Sequence, residues 1–112
     1  MPSTVSPLRV SSQDVEDGFV AVFGALSEPI RLQMVRMMIE HGASDFPCTT
    51  FDEELPIAKS TISYHVQVLR RANLISVRKA GRNYFYKLRF ETLEGFAPAL
   101  LSHLRSQLAA AA

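Results

Sequence analysis

The sequence has a single cysteine, so no disulfide can close within the chain. It has no apolar run approaching the roughly 20 residues that span a bilayer. Its first residues, MPSTVSPLRVSS, have prolines at positions 2 and 7 and no apolar stretch of the kind a signal peptide needs. There is no glycine-rich phosphate loop and no nucleophile beside an evident base, so nothing points to an enzyme or to a cofactor. Nor is there a large excess of charge. Twelve Lys+Arg against 11 Asp+Glu leave +1, which argues against a uniformly basic coat for nucleic acid. These absences make the cytoplasm the expected compartment and exclude a membrane as partner.

The charge that is present is unevenly placed. Residues 1–50 hold Arg9, Arg31 and Arg36 against six acids, a balance of −3, which leaves +4 for the remainder. Between Lys59 and Arg89 there are eight basic residues and no Asp or Glu. At 112 residues and 47% hydrophobic, the chain can bury one modest core, and a second subunit would add to its stability.

The basic stretch opens with IAKSTISYHVQVLRRAN, Ile57 to Asn73. At 100° per residue Ile62, Val66, Leu69 and Asn73 share one side with His65 at its edge. Ser60, Tyr64, Gln67 and Arg71 share the other, an outward face made entirely of hydrogen-bonding groups. Pro56 discourages helix at Leu55, and Phe51 to Leu55 is long enough for only a turn or two. Short helix, tight turn and longer helix make a helix-turn-helix. After it, LISVRK alternates apolar with polar, Ala80-Gly81-Arg82 turns, and NYFYKL places Tyr84, Tyr86 and Leu88 on one face. That is a β-hairpin, a wing.

Earlier in the chain, a helix is expected from after Ser12 to about Leu26, with Val15, Phe19, Val22, Phe23 and Leu26 as its stripe. Gly24 weakens its last turn and leaves room for close approach of another helix. Ser27-Glu28-Pro29 opens the next helix, which ends at Gly42 and is apolar over most of its circumference, the pattern of a central strut with Met34, Met37 and Met38 as adaptable filling. Residues 42–50 are expected as a loop, with Phe46 pinned into the core. Beyond the wing, Leu93, Phe96, Ala97, Leu100, Leu101, Leu104 and Leu108 form one stripe. Pro98 predicts a kink or a fresh helix start near Ala97. The expected organisation is a loose tail over 1–12, one domain over 13–108 and a frayed alanine tail over 109–112. The fold class is mainly α with a small β-hairpin, a winged helix-turn-helix. A homodimer would form through the terminal helices, using Val15, Phe19, Val22, Phe23, Phe96, Leu100, Leu101, Leu104 and Leu108.

LSEPIRLQMVRMMIEHG, LPIAKSTISYHVQVLRRANLI and RKAGRNYFYKL together resemble the ArsR/SmtB family of winged-helix transcriptional regulators, in order and spacing and over about two-thirds of the chain. The resemblance implies a homodimer that binds palindromic double-stranded DNA, usually as a repressor released by an effector. It places base reading at Lys59, Ser60, Thr61, Ser63, Tyr64 and Gln67, and a wing contact at Arg82. Side-chain chemistry agrees: Gln67 can hold adenine by a two-point hydrogen bond, and an arginine at a turn tip suits the negative minor groove. Arg70, Arg71, Arg78 and Lys79 suit phosphates, which fix register without reading sequence. Ala58 stands where the family often has a serine cap.

Metal sensing, common in the family, finds little support. Cys48 is followed by Thr49 and Thr50 where a Cys-x-Cys pair would stand, and Glu91, Glu94 and His103 lack the spacing of the family's other site. No metal ligands are therefore assigned. His41 suits a helix C-terminus, and His65 suits packing and hydrogen bonding on the inner edge of its helix. Two alternatives stay open: a module that uses the basic wing on an acidic protein, and a metal sensor with a non-standard site. A small apolar effector would find its place near Met34, Met37, Phe19, Phe23 and Phe96.

Overall fold

The computed structural model describes residues 12–42 and 45–111. The chain runs α1 (Ser12–Leu26), α2 (Pro29–His41), β1 (Phe46–Pro47), α3 (Cys48–Glu54), α4 (Lys59–Arg71), β2 (Ile75–Ala80), β3 (Asn83–Leu88), α5 (Phe90–Phe96) and α6 (Pro98–Ala111). The expected tail over 1–12 lies, Ser12 apart, outside the described residues.

Helix α2 is the strut that its apolar circumference implies. Met34, Val35 and Met38 are at most 1% exposed, and α1, α4, α6 and β3 all pack on this helix. Its start is fixed by Glu28, whose carboxylate accepts the Arg31 N–H at 3.0 Å, with Pro29 in the first turn where a missing N–H is harmless. Gly42 ends it at φ 109°, a conformation that favours glycine.

The recognition-type helix α4 begins at Ala58, which offers no capping side chain. It closes through Asn73 at φ 61°, with Leu74 N–H donating to the Leu69 carbonyl. Asparagine tolerates this left-handed conformation better than most residues. The Thr92 hydroxyl then donates to the Asn73 carbonyl at 2.7 Å and fastens the end of α4 to α5.

The wing is a hairpin with Ala80 opposite Asn83 and Ile75 opposite Leu88, turned at Gly81 (φ 63°) and Arg82. The sheet has a third strand that the sequence pattern does not show. Phe46 and Pro47, expected in a loop, pair with Tyr86 and Phe85, giving the order β1-β3-β2. Proline is tolerated there because β1 is an edge strand. Phe46 is buried as expected, against Phe51. Helix α3 begins at Cys48, earlier than the Phe51 start read from the sequence.

Near the C-terminus Pro98 acts as predicted. Helix α5 stops at Phe96, Ala97 leaves helical geometry, and α6 starts at Pro98. The last helix continues beyond Leu108 to Ala111.

Three expectations are corrected. Val22, Leu101 and Leu104 are only 1–2% exposed, so they belong to the chain's own core and cannot offer area to another subunit. The reason is that α1 and α6 both pack on α2. Met34 is likewise fully buried and lines no outer surface. Gly24 meets nothing within 4 Å, and the close approach occurs instead at Gly18, under the Phe96 ring. Val15, Phe19 and Phe23 remain 39–51% exposed, Val20 joins them at 69%, and Phe96 and Leu100 are half-buried. The side chain of Leu108 lies outside those described.

Candidate nucleic-acid interface

Helix α4 carries its polarity on one side. Ile62, His65, Val66 and Leu69 face the core, and this forces Lys59, Ser60, Thr61, Ser63, Tyr64, Gln67, Arg70 and Arg71 into solvent. Tyr64 is 60% exposed although it is a large aromatic. On the wing, Arg78, Lys79 and Arg82 are exposed as well. All eleven residues expected to touch DNA therefore lie on the surface of the helix and hairpin.

The structure divides the eight on the helix into two groups. Lys59, Ser63, Gln67 and Arg70 line a cleft of about 380 Å³ between α4 and the wing, opposite Val77, Tyr84 and Tyr86, with Cys48 and Asp52 of α3 at its end. Ser60, Thr61, Tyr64 and Arg71 are not part of that cleft and stand on the rest of the exposed helix surface. Ser60, Ser63, Gln67 and Arg71 make no side-chain hydrogen bond or ion pair among the described residues, so their donors and acceptors are available to a ligand.

Arg78 is less free than the sequence suggests. Its guanidinium pairs with Asp45 at 3.0 Å and lies 5.0 Å from the centre of the Phe85 ring. Both side chains of the pair are more than half exposed. An exposed pair contributes about 0–1 kcal/mol, so a phosphate can displace the carboxylate at little cost. Lys79 sits 5.8 Å from the centre of the Tyr84 ring, which holds the wing's cation near its exposed aromatic.

Tyr84 is the residue that sequence reasoning did not assign to the site. It is 45% exposed and faces the helix across the cleft. The signal was its place on the Tyr84, Tyr86, Leu88 face, where exposure rises toward the turn. Tyr86, deeper in the same cleft, has its phenol pKa raised above the ordinary tyrosine value, chiefly by burial and then by Cys48, Asp52 and Tyr84 nearby. Cys48 is a half-buried free thiol, and no three of His, Cys, Asp and Glu gather as a metal site among the described residues.

Residues 26–78, which hold the helix-turn-helix, match the protein family described as a helix-turn-helix domain. The chain is 35% identical over 83 residues to YceK of Bacillus subtilis, described as an uncharacterized HTH-type transcriptional regulator, covering 74% of this chain and 82% of that protein. A transcriptional repressor SmtB homolog from Synechocystis is 28% identical over 80 residues, covering 71% of this chain and 58% of that one. Among solved structures, an ArsR-like transcriptional regulator from Rhodococcus sp. RHA1 superposes with a TM-score of 0.63 at 25% identity, covering 86% of this chain and 91% of that one. The chain belongs to the ArsR/SmtB family of winged-helix transcriptional regulators. It is accordingly a DNA-binding transcriptional regulator of the repressor type. No helix among the described residues is long and apolar enough to cross a membrane.

Proposed function

We propose that the protein represses transcription by binding a palindromic operator as a homodimer, with α4 in the major groove and the wing turn in the flanking minor groove. The observation that carries this reading is the exposure of every outward polar residue of α4 beside a wing of the same charge, with no acid between Lys59 and Arg89. Lys59, Ser60, Thr61, Ser63, Tyr64 and Gln67 address base edges and nearby phosphates. Arg70, Arg71, Arg78 and Lys79 hold the backbone, and Arg82 enters the minor groove.

The second subunit is supported by the exposed apolar arc of Val15, Phe19, Val20 and Phe23 on α1. A two-fold dimer would set its recognition helices about 34 Å apart, one turn of DNA.

The test is binding of the purified chain to its own promoter against a scrambled duplex over a range of salt. The Gln67→Ala variant should lose about 1–3 kcal/mol of discrimination at one base pair. The Arg82→Ala variant should bind more weakly on all sequences, with a salt slope smaller by about 1. Equal weak binding of both duplexes, indifferent to either substitution, would instead favour a module for acidic protein partners.

A further inference from the structure

The Arg31 side chain makes polar contacts that join three helices. It belongs to the first turn of α2. Its Nε donates to the Ala25 carbonyl at 2.7 Å and an Nη to the Gly24 carbonyl at 3.4 Å, both in the last turn of α1. Its other Nη lies 3.1 Å from Nδ1 of His65, in the middle of α4. A guanidinium has only donors, so this contact is a hydrogen bond only if Nδ1 carries a lone pair. The imidazole is then neutral, with its proton on Nε2.

His65 is 7% exposed, and Arg31 is its one hydrogen-bonding partner among the described residues. Among the described residues no acid makes a hydrogen bond or ion pair with it. From α2 it meets the Arg31 cation. Glu28, the nearest acid along α2, spends an oxygen on the Arg31 backbone N–H at 3.0 Å. The α1 end contributes carbonyls that Arg31 already holds. On α4 itself the Tyr64 ring lies 5.5 Å away, and α3 and β2 give the imidazole neither a hydrogen bond nor an ion pair. A second proton on His65 therefore removes the acceptor and places two cations in contact in a buried setting.

We propose that His65 is a positioning residue. Through Arg31 it ties the recognition helix to the end of the proposed dimer helix, and its protonation loosens that tie and lowers affinity for operator DNA. The inference rests on the DNA-binding reading above. It reaches bases indirectly, since His65 points inward while its neighbour Tyr64 points out. The linkage sign follows from the contact: the neutral imidazole is the binding-competent form, so affinity is held at high pH and lost as pH falls.

The experiment measures operator affinity at constant ionic strength from about pH 8 to about pH 5.5, the interval in which an imidazole can change charge. Wild type should weaken by about tenfold, a size consistent with a hydrogen bond to a charged group. His65→Asn places an oxygen where Nδ1 stands and cannot titrate, so whatever its affinity at the upper pH it should lack the step. Arg31→Gln approaches from the other side and should bind more weakly at the upper pH, again without the step. Imidazole nitrogen resonances of the wild-type protein should show the Nε2–H tautomer, a readout that needs neither variant nor DNA. The same pH step in His65→Asn as in wild type, or an Nδ1–H tautomer, overturns the inference alone. Absence of selective DNA binding by wild type at any pH overturns the DNA-binding reading first and this inference with it.

Discussion

Gly18 of α1 lies directly under the Phe96 ring at the end of α5, so close that a Cβ on Gly18 would stand 2.5 Å from the ring's Cζ. The same ring meets Phe19 edge-on, with centroids 4.9 Å apart at 86°. The pair fixes how the C-terminal helices dock on the first one. Gly18→Ala should gain up to about 1 kcal/mol of helix propensity and lose about 1–3 kcal/mol to overpacking, for a net fall in stability. In a Phe96→Leu background the overpacking is relieved, and the same substitution should become stabilising. Thermal unfolding of the four proteins checks this, and a sign that does not change between backgrounds would refute the close packing.

The proposed subunit interface can be separated from the core by two substitutions. Phe23 is 51% exposed and stacks on Phe19 with ring centroids 5.9 Å apart. Phe23→Ser should leave the monomer folded, shift sedimentation toward the monomer and weaken operator binding. Leu104, 1% exposed, should behave oppositely. Leu104→Ala should cost about 2–5 kcal/mol of folding stability through cavity formation, whatever the protein concentration.

An added cap should stabilise α4. Ala58 occupies the N-cap position with extended backbone (φ −65°, ψ 148°) and has no side chain to accept a first-turn N–H. Ala58→Ser should raise stability by about 1 kcal/mol, read as a higher melting temperature. Its far-ultraviolet spectrum should be unchanged.

Tyr86 gives the chain an alkaline limit. Burial, with Cys48, Asp52 and Tyr84 adding to it, raises the phenol pKa in the folded state. The folded chain thus keeps a proton that the unfolded chain gives up. That contribution is complete below the ordinary tyrosine pKa of about 10 and is lost as pH rises through the higher folded value. Tyr86→Phe should remove part of the fall in stability above about pH 10. Denaturant titrations across that interval would show it.

Much of this architecture is legible in the chain because periodicity and helix breakers act locally. Pro56 and the run from Ile62 to Leu69 define α4, the alternation through Leu88 defines the wing, and Pro98 divides the C-terminal stripe. What escaped depends on contacts distant in sequence. Two residues, Phe46 and Pro47, have too little length to show a period, and only Tyr86 and Phe85 make them a strand. A stripe on α1 or α6 shows that it is covered but not by what, so Val22, Leu101 and Leu104 looked like interface. Gly18 and Gly24 are alike in sequence, and only the position of Phe96 tells them apart. Arg31 drew no notice as a connector because none of its side-chain partners lies within the next turn of its own helix.

Helix α4 is held from within and from its end, by the His65 contact with Arg31 and by the Asn73 carbonyl under Thr92. Ser60, Ser63, Gln67 and Arg71 are exposed and make no side-chain hydrogen bond or ion pair among the described residues. On the proposed reading of DNA by this face, these positions can therefore change one at a time and shift operator preference while the scaffold stays as it was.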